Sequence, residues 1–256
     1  MDTPLLPIAF GAFVVGAIAL DLGLLRRRGD HTIRPREALA WTALWVSLAV
    51  AFGALIWATR GADTALSYLT AYLIEWSLSI DNVFVIALIF SSFAIPPAYQ
   101  HRAIVFGVVG ALVMRFVLIG AGVSLVARFE WLLPLFGAFL VVTALRMLRG
   151  GHDDGGEPRL LGSPRRRAPI SPTLHGERFT VRIDGRRLLT PLGLALVSIE
   201  VMDLVFAVDS IPAALAISAD SFVIFSSNAF AILGLRSLYF LIAEARTQFR
   251  LLSYGL

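Results

Sequence analysis

The stretch that most constrains this chain is Ile74-Glu75-Trp76-Ser77-Leu78-Ser79-Ile80-Asp81-Asn82-Val83: two acids and an amide inside a run otherwise apolar from about Thr64 to Ile95. That run exceeds the roughly 20 residues needed to cross a bilayer. A carboxylate at that depth costs at least about 2.5 kcal/mol on insertion scales, so intramembrane acids are rare and mark ion paths or internal pairs. A second apolar run repeats the arrangement as Ile199-Glu200-Val201-Met202-Asp203-Leu204-Val205-Phe206-Ala207-Val208-Asp209-Ser210. The chain has to bury two acidic helices in lipid.

The 256 residues are 57% hydrophobic and 16% charged, against about 45–50% and 25% in soluble domains. An all-α polytopic membrane helix bundle is expected. With no cysteine there is no disulfide framework and no thiolate metal site. All 22 basic residues are arginine. Arginine-rich loops in such a chain encode membrane orientation, and nucleic-acid binding is not expected. The N-terminus lacks a basic n-region and an A-x-A cleavage site, so it reads as a first spanning helix rather than a signal peptide.

About seven spans follow from the hydrophobic runs: 5–25, 37–57, the opening acidic stretch, 103–123, 131–148, 189–217 and 222–243. The chain divides into residues 1–148 with five spans, an arginine-rich linker at 149–188, and residues 189–256 with two spans and a short tail. Pro96-Pro97 bar a continuous helix between the third and fourth spans. The linker reads as disordered through about Leu174, with a hairpin at 179–189 around Asp184-Gly185. Placing the N-terminus outside leaves 18 arginines inside and 2 outside, which predicts N-out, C-in topology.

An offset of 128 residues aligns Asp81 with Asp209, Asn82 with Ser210 and Glu75 with Asp203. The next spans also correspond, Phe106-x3-Gly110 with Phe230-x3-Gly234, each followed by an arginine, Arg115 or Arg236. The arginine count gives the two acidic spans opposite directions. This is an inverted repeat, spans 3–4 against 6–7, an architecture that places a substrate site near the midplane on interrupted helices. A third helix of the second repeat is missing, so either the repeat unit is smaller or the chain continues beyond Leu256.

On a regular helix Glu75, Ser79 and Asn82 share a face, while Asp81 points about 120° away. Glu200, Asp203 and Ser210 share a face in the sixth span, and Asp209 points elsewhere. A helix break would bring both aspartates in, and Pro212 supplies a cause near Asp209. The intramembrane acids Asp21, Glu75, Asp81, Glu200, Asp203 and Asp209 outnumber Arg115 and Arg236, six to two. Protons or cations make up the difference. The donors are hard oxygens, with Asn82, Ser79 and Ser210 beside the carboxylates, and they suit Mn²⁺, Mg²⁺ or Ca²⁺. His31, His101, His152 and His175 fall in loops. Pairing of acids with Arg115 or Arg236, bracing the bundle, is the competing reading. Asp21 sits close enough to Arg26 and Arg27 to be an interfacial pair. Asp63 and Asp220 lie outside the spans and read as solvated. Gly107, Gly110, Gly120 and Gly122 read as close-packing positions, and Trp41, Trp57 and Trp131 as interface anchors.

At Glu75-Trp-Ser-Leu-Ser-Ile-Asp81-Asn82-Val-Phe-Val, at Glu200-Val-Met-Asp203 through Asp209-Ser210-Ile-Pro212, at Ser227-Asn228 through Arg236-Ser-Leu-Tyr-Phe, and at Asp21-Leu-Gly, the chain resembles the TerC family. The resemblance implies an integral membrane protein of bacteria and plastids, named for tellurium resistance, with several relatives linked to manganese export. By position, Asp21, Glu75, Asp81, Asn82, Glu200, Asp203 and Asp209 match the family's acidic and polar motifs. Family members usually continue past Leu256 into further apolar helices, which agrees with the missing repeat helix.

The expected function is export of a divalent cation, Mn²⁺ first, across the inner membrane. The cation is substrate rather than cofactor, and no enzyme activity or cofactor is expected. The site would comprise Glu75, Asp81, Asn82, Glu200, Asp203, Asp209, Ser210 and Asp21, with proton coupling through the carboxylates. The alternative is a non-transporting scaffold in tellurite or stress resistance or in membrane-protein assembly, contacting other membrane proteins through the 149–187 loop. An intramembrane aspartyl protease is disfavoured, because a shared-proton dyad needs only two acids. The absence of native cysteine makes the topology directly testable. A Thr3→Cys variant should label with an impermeant maleimide in intact cells, and Ser163→Cys only after permeabilisation; the reverse pattern would invert the orientation.

Overall fold

The structure is a computed structural model. It describes residues 5–28, 35–129, 170–171, 173–183 and 185–248, with the isolated positions 131, 134, 135 and 138; the side chains of 5, 21–28, 35, 209, 236 and 243–248 are outside that description. Helices α1 (Leu5–Arg28), α2 (Pro35–Arg60), α3 (Ala62–Ser92) and α4 (Pro97–Arg128) precede a hairpin of β1 (Thr180–Ile183) and β2 (Arg186–Leu189), and α5 (Pro191–Ile217) and α6 (Ser221–Gln248) follow it. Among the described residues five helices, α2 to α6, are long and apolar enough to cross a membrane, and α1 adds a shorter apolar helix over Leu6–Leu20. The fold is an all-α polytopic membrane bundle. The span expected at 131–148 and most of the segment expected to be disordered lie outside the described residues. Order is present by Ile170, earlier than the composition suggested: Ile170 and Leu174 pack against the core, and the Ser171 amide donates to the Leu189 carbonyl at 2.8 Å.

The turn between α3 and α4 shows how sequence sets the boundaries. The Phe93 amide bonds the Ile89 carbonyl at 3.1 Å, and the Ile95 amide reaches back to Phe90 at 2.9 Å. Between them Ala94 adopts φ 50°, the left-handed closure of a helix C-terminus. Pro97, which has no amide to lose, starts α4. Pro212 acts differently from expectation. Helix α5 continues through it as one helix, because a single missing amide removes one bond while the flanking turns and neighbouring helices hold the rest.

Helix α6 is the most buried span and packs against α2, α3 and α4. Phe10 of α1 joins an aromatic cluster with Phe52 of α2 at 5.0 Å and with Phe230 and Phe222 of α6 at 5.6 and 5.8 Å between ring centroids. Asp220 keeps 40% of its side chain exposed, and it is also paired. Its Oδ1 accepts from the Phe222 amide at 2.9 Å, capping α6, and its Oδ2 accepts from Arg60 at 2.9 Å. His101 lies in the first turns of α4 rather than in a loop.

The hairpin pairs antiparallel with Ile183 opposite Arg186 and turns through Gly185 at φ 76°. It is tied to the start of α5. Thr190 Oγ1 accepts from the Gly193 amide at 3.1 Å and donates to the Arg178 carbonyl at 2.6 Å. Phe179 meets Phe106 of α4 edge-on at 5.3 Å, and Arg102 pairs with Glu177 at 3.0 Å. A Cβ at Gly193 would overlap the Phe179 carbonyl oxygen, whereas one at Gly120 would meet nothing. Gly193→Ala should therefore cost about 1–3 kcal/mol, seen as a Tm several degrees lower in detergent, while Gly120→Ala leaves Tm unchanged. Equal Tm for both variants would contradict this docking of the hairpin.

Candidate functional site

Near the midpoints of the spans, Arg115 of α4 projects into the bundle with its side chain 1% exposed. A guanidinium so buried needs charge and hydrogen-bond partners. Its Nη1 donates to Glu75 Oε1 of α3 and to Asn228 Oδ1 of α6 at 2.6 Å. Its Nη2 donates to Asp203 Oδ1 of α5 at 3.2 Å. Ser210 Oγ lies 3.3 Å from Nη1; that nitrogen has two protons for three acceptors, so Ser210 is the weakest of them. One side chain thus ties α4 to α3, α5 and α6. Glu75 and Asp203, the acids that the 128-residue offset aligns, converge on the same guanidinium.

The cluster is not fully satisfied. Asp203 Oδ2, Asn82 Oδ1 and Arg115 Nε are buried without a hydrogen-bond partner. Asn82 and Asp203 both line a cavity of ≈ 30 Å³ where α3, α4 and α5 meet, room for about one or two water-sized bodies. The rest of its wall is almost wholly apolar, with Ile86, Ile104, Val108, Ile199 and Phe206 among its side chains. Two orphaned buried oxygens on residues that line an apolar cavity are a costly arrangement, and a bound cation or water would remove that cost.

Glu200 stands one turn before Asp203 and is half-buried. A Cβ at Gly110 would overlap its carboxylate, so the bare glycine seats this acid against α4. At Gly107 a Cβ would press on Ile199 at 3.3 Å, and this glycine does serve close packing. Glu75 and Asp203 bond the Arg115 guanidinium, and with Glu200 one turn from Asp203 the three carboxylates and one guanidinium sum to −2 when all are ionised.

The structure therefore brings Glu75, Asp203 and Ser210 to Arg115, sets Asn82 beside Asp203 on the cavity, and places Glu200 one turn away. It does not bring Asp81 in. Helix α3 stays regular through this position, so Asp81, one residue from buried Asn82, falls on an exposed face. The side chains of Asp21, Asp209 and Arg236 lie outside the described residues. Among the described residues no three acids or histidines converge to hold a metal, because Arg115 fills the space between Glu75 and Asp203. Of the hard-oxygen set expected from the motifs, one carboxylate oxygen of Asp203 and the amide oxygen of Asn82 are left without partners. Asn228 was missed as a site residue. Its signal was Ser226-Ser227-Asn228, three polar residues together inside an apolar span, all of them buried.

Removing one partner of a buried ion pair costs about 3–5 kcal/mol. Arg115→Met should lower Tm strongly, and the double variant Arg115→Met with Glu75→Gln should recover part of that loss by removing the stranded charge. Additive losses would show that the two side chains are not coupled.

Comparison with known proteins agrees with this architecture. The profile of the integral membrane protein TerC family matches residues 60–256. An uncharacterised membrane protein, STKORF319, from Myxococcus xanthus is 46% identical over all of this chain and 81% of its own length. Alx of Salmonella typhi, named as a candidate membrane-bound redox modulator, is 44% identical over all of this chain and 83% of its own length. A membrane protein of Rickettsia bellii is 37% identical over 97% of this chain and 83% of its own. No solved structure matches. With its acidic spans gathered around Arg115 and the profile covering most of its length, the chain belongs to the TerC family of integral membrane proteins.

Proposed function

We propose that this protein carries a divalent cation, Mn²⁺ first among candidates, out across the inner membrane, with the N-terminus outside and the C-terminus inside. The observation that carries the reading is the pair of unpartnered oxygens, Asp203 Oδ2 and Asn82 Oδ1, on two residues that line one small cavity near the midpoints of the spans. Carboxylate and amide oxygens are ligands for Mn²⁺, Mg²⁺ and Ca²⁺. The net −2 of Glu75, Glu200, Asp203 and Arg115 matches one divalent ion. Arg115 keeps Glu75 and one oxygen of Asp203 engaged, so the ion meets a weak site that it can leave. Protons on Glu200 or Asp203 replace the ion in the return step. The redox wording attached to the Alx relatives does not point to thiol chemistry in this chain, which has no cysteine.

Removing a charged ligand costs about 1.5–3 kcal/mol, a loss of roughly ten- to a hundredfold in affinity. Cells expressing the wild type should hold less manganese than cells without it. Asp203→Asn and Asn82→Ala should lose that effect while reaching the membrane in normal amounts. If Asp203→Asn lowers cellular manganese as well as the wild type does, the carrier reading fails. A scaffold role through the 149–187 segment then becomes the better account, tested by deleting that segment.

A further inference from the structure

The cavity has one side chain in its wall that a site built only for hard ions does not need. Met202, adjacent to Asp203 on α5, lines the same ≈ 30 Å³ space as Asn82 and Asp203. It is the only sulfur among the lining residues. Methionine is normally a flexible filler of irregular gaps. Here it lines the same cavity as Asn82 and Asp203, each of which carries a buried oxygen that lacks a partner. A thioether facing apolar neighbours alone would be packing. A thioether residue on the same cavity as two residues that each carry an orphaned oxygen can offer a mixed O, O, S donor set.

The chemistry of that set differs from the hard-oxygen set of the motifs. Alkaline-earth ions gain little from a thioether, whereas softer divalent ions accept it. The thioether is also neutral. It adds a donor without adding to the net −2 of the surrounding charges, so one divalent ion still balances the site. Building on the carrier reading above, we infer that Met202 is a specificity-determining ligand of the Asn82–Asp203 site, and that the site takes divalent transition-metal ions in preference to Mg²⁺ and Ca²⁺.

The test uses the full-length protein in detergent, as wild type, Met202→Leu and Asp203→Asn, titrated separately with Mn²⁺, Cd²⁺, Ca²⁺ and Mg²⁺. Leucine keeps the volume and removes the sulfur. The wild type should bind Mn²⁺ and Cd²⁺, with Ca²⁺ and Mg²⁺ competing only at roughly hundredfold excess or more, and Met202→Leu should lose about tenfold or more in Cd²⁺ affinity and let Ca²⁺ compete far better. In protein carrying methyl-¹³C methionine, the Met202 resonance, identified by its loss in Met202→Leu, should broaden with Mn²⁺ and shift with Cd²⁺. This readout on the wild type stands even if the leucine variant folds poorly, because Met114 and Met147 can be assigned by their own variants and Met1 by the shift that an N-terminal extension gives its resonance. Unchanged Cd²⁺-to-Ca²⁺ preference in Met202→Leu, or a Met202 methyl that ignores bound metal, would reduce Met202 to packing while leaving the carrier reading intact if Asp203→Asn abolishes binding. A wild type that binds none of the four ions overturns both.

Discussion

The bundle depends on one guanidinium. Helices α3 and α5 each carry an acid to mid-span, and neither acid is tolerable alone in hydrocarbon. Arg115 answers both from α4, and Asn228 of α6 completes its coordination. A buried pair of this kind repays its desolvation only when its remaining hydrogen-bonding groups are also met. That requirement explains why four helices converge on one residue. It also couples them: a displacement of α5 relative to α3 and α6 has to change the bonds that Arg115 makes, so the packing of the spans and the electrostatics of the site cannot move independently.

What the guanidinium leaves unmet defines the site. It takes one oxygen of Asp203 and leaves the other, and Asn82, on the same small cavity, also keeps an unpartnered oxygen. An arginine held next to a cation site limits how strongly that site can bind. In the carrier proposed above this restraint lets the ion leave, since three unopposed carboxylates would trap it. Glu200, seated on Gly110 one turn from Asp203, supplies the further charge that brings the local sum to that of one divalent ion.

Much of this was legible in the sequence because hydrocarbon makes polar residues conspicuous. Glu75, Asn82, Glu200, Asp203, Ser210 and Arg115 were all singled out from apolar runs, and the faces assigned to Glu75 with Asn82 and to Asp203 with Ser210 hold in the bundle. Asp81 shows the limit. Its position beside Asn82 made it a ligand candidate, but a regular helix turns about 100° per residue, and nothing in α3 interrupts that rotation. Pro212 misled in the same direction, since the identity of one residue does not decide whether neighbouring helices can carry a missing hydrogen bond. Asn228 and Gly110 were hidden for another reason. Their roles come from which helix each faces, and pairing between distant spans is not written in local pattern.

The proposed carrier requires that Asp203 and Asn82 hold an ion. Electron paramagnetic resonance of the purified protein titrated with Mn²⁺ measures this without transport or phenotype. The expected result is about one bound Mn²⁺ per chain, matching the local charge of −2, with binding lost in Asp203→Asn and kept in the exposed-acid control Asp63→Asn. Mn²⁺ that stays bound to Asp203→Asn, or a wild type that binds none, would contradict the account.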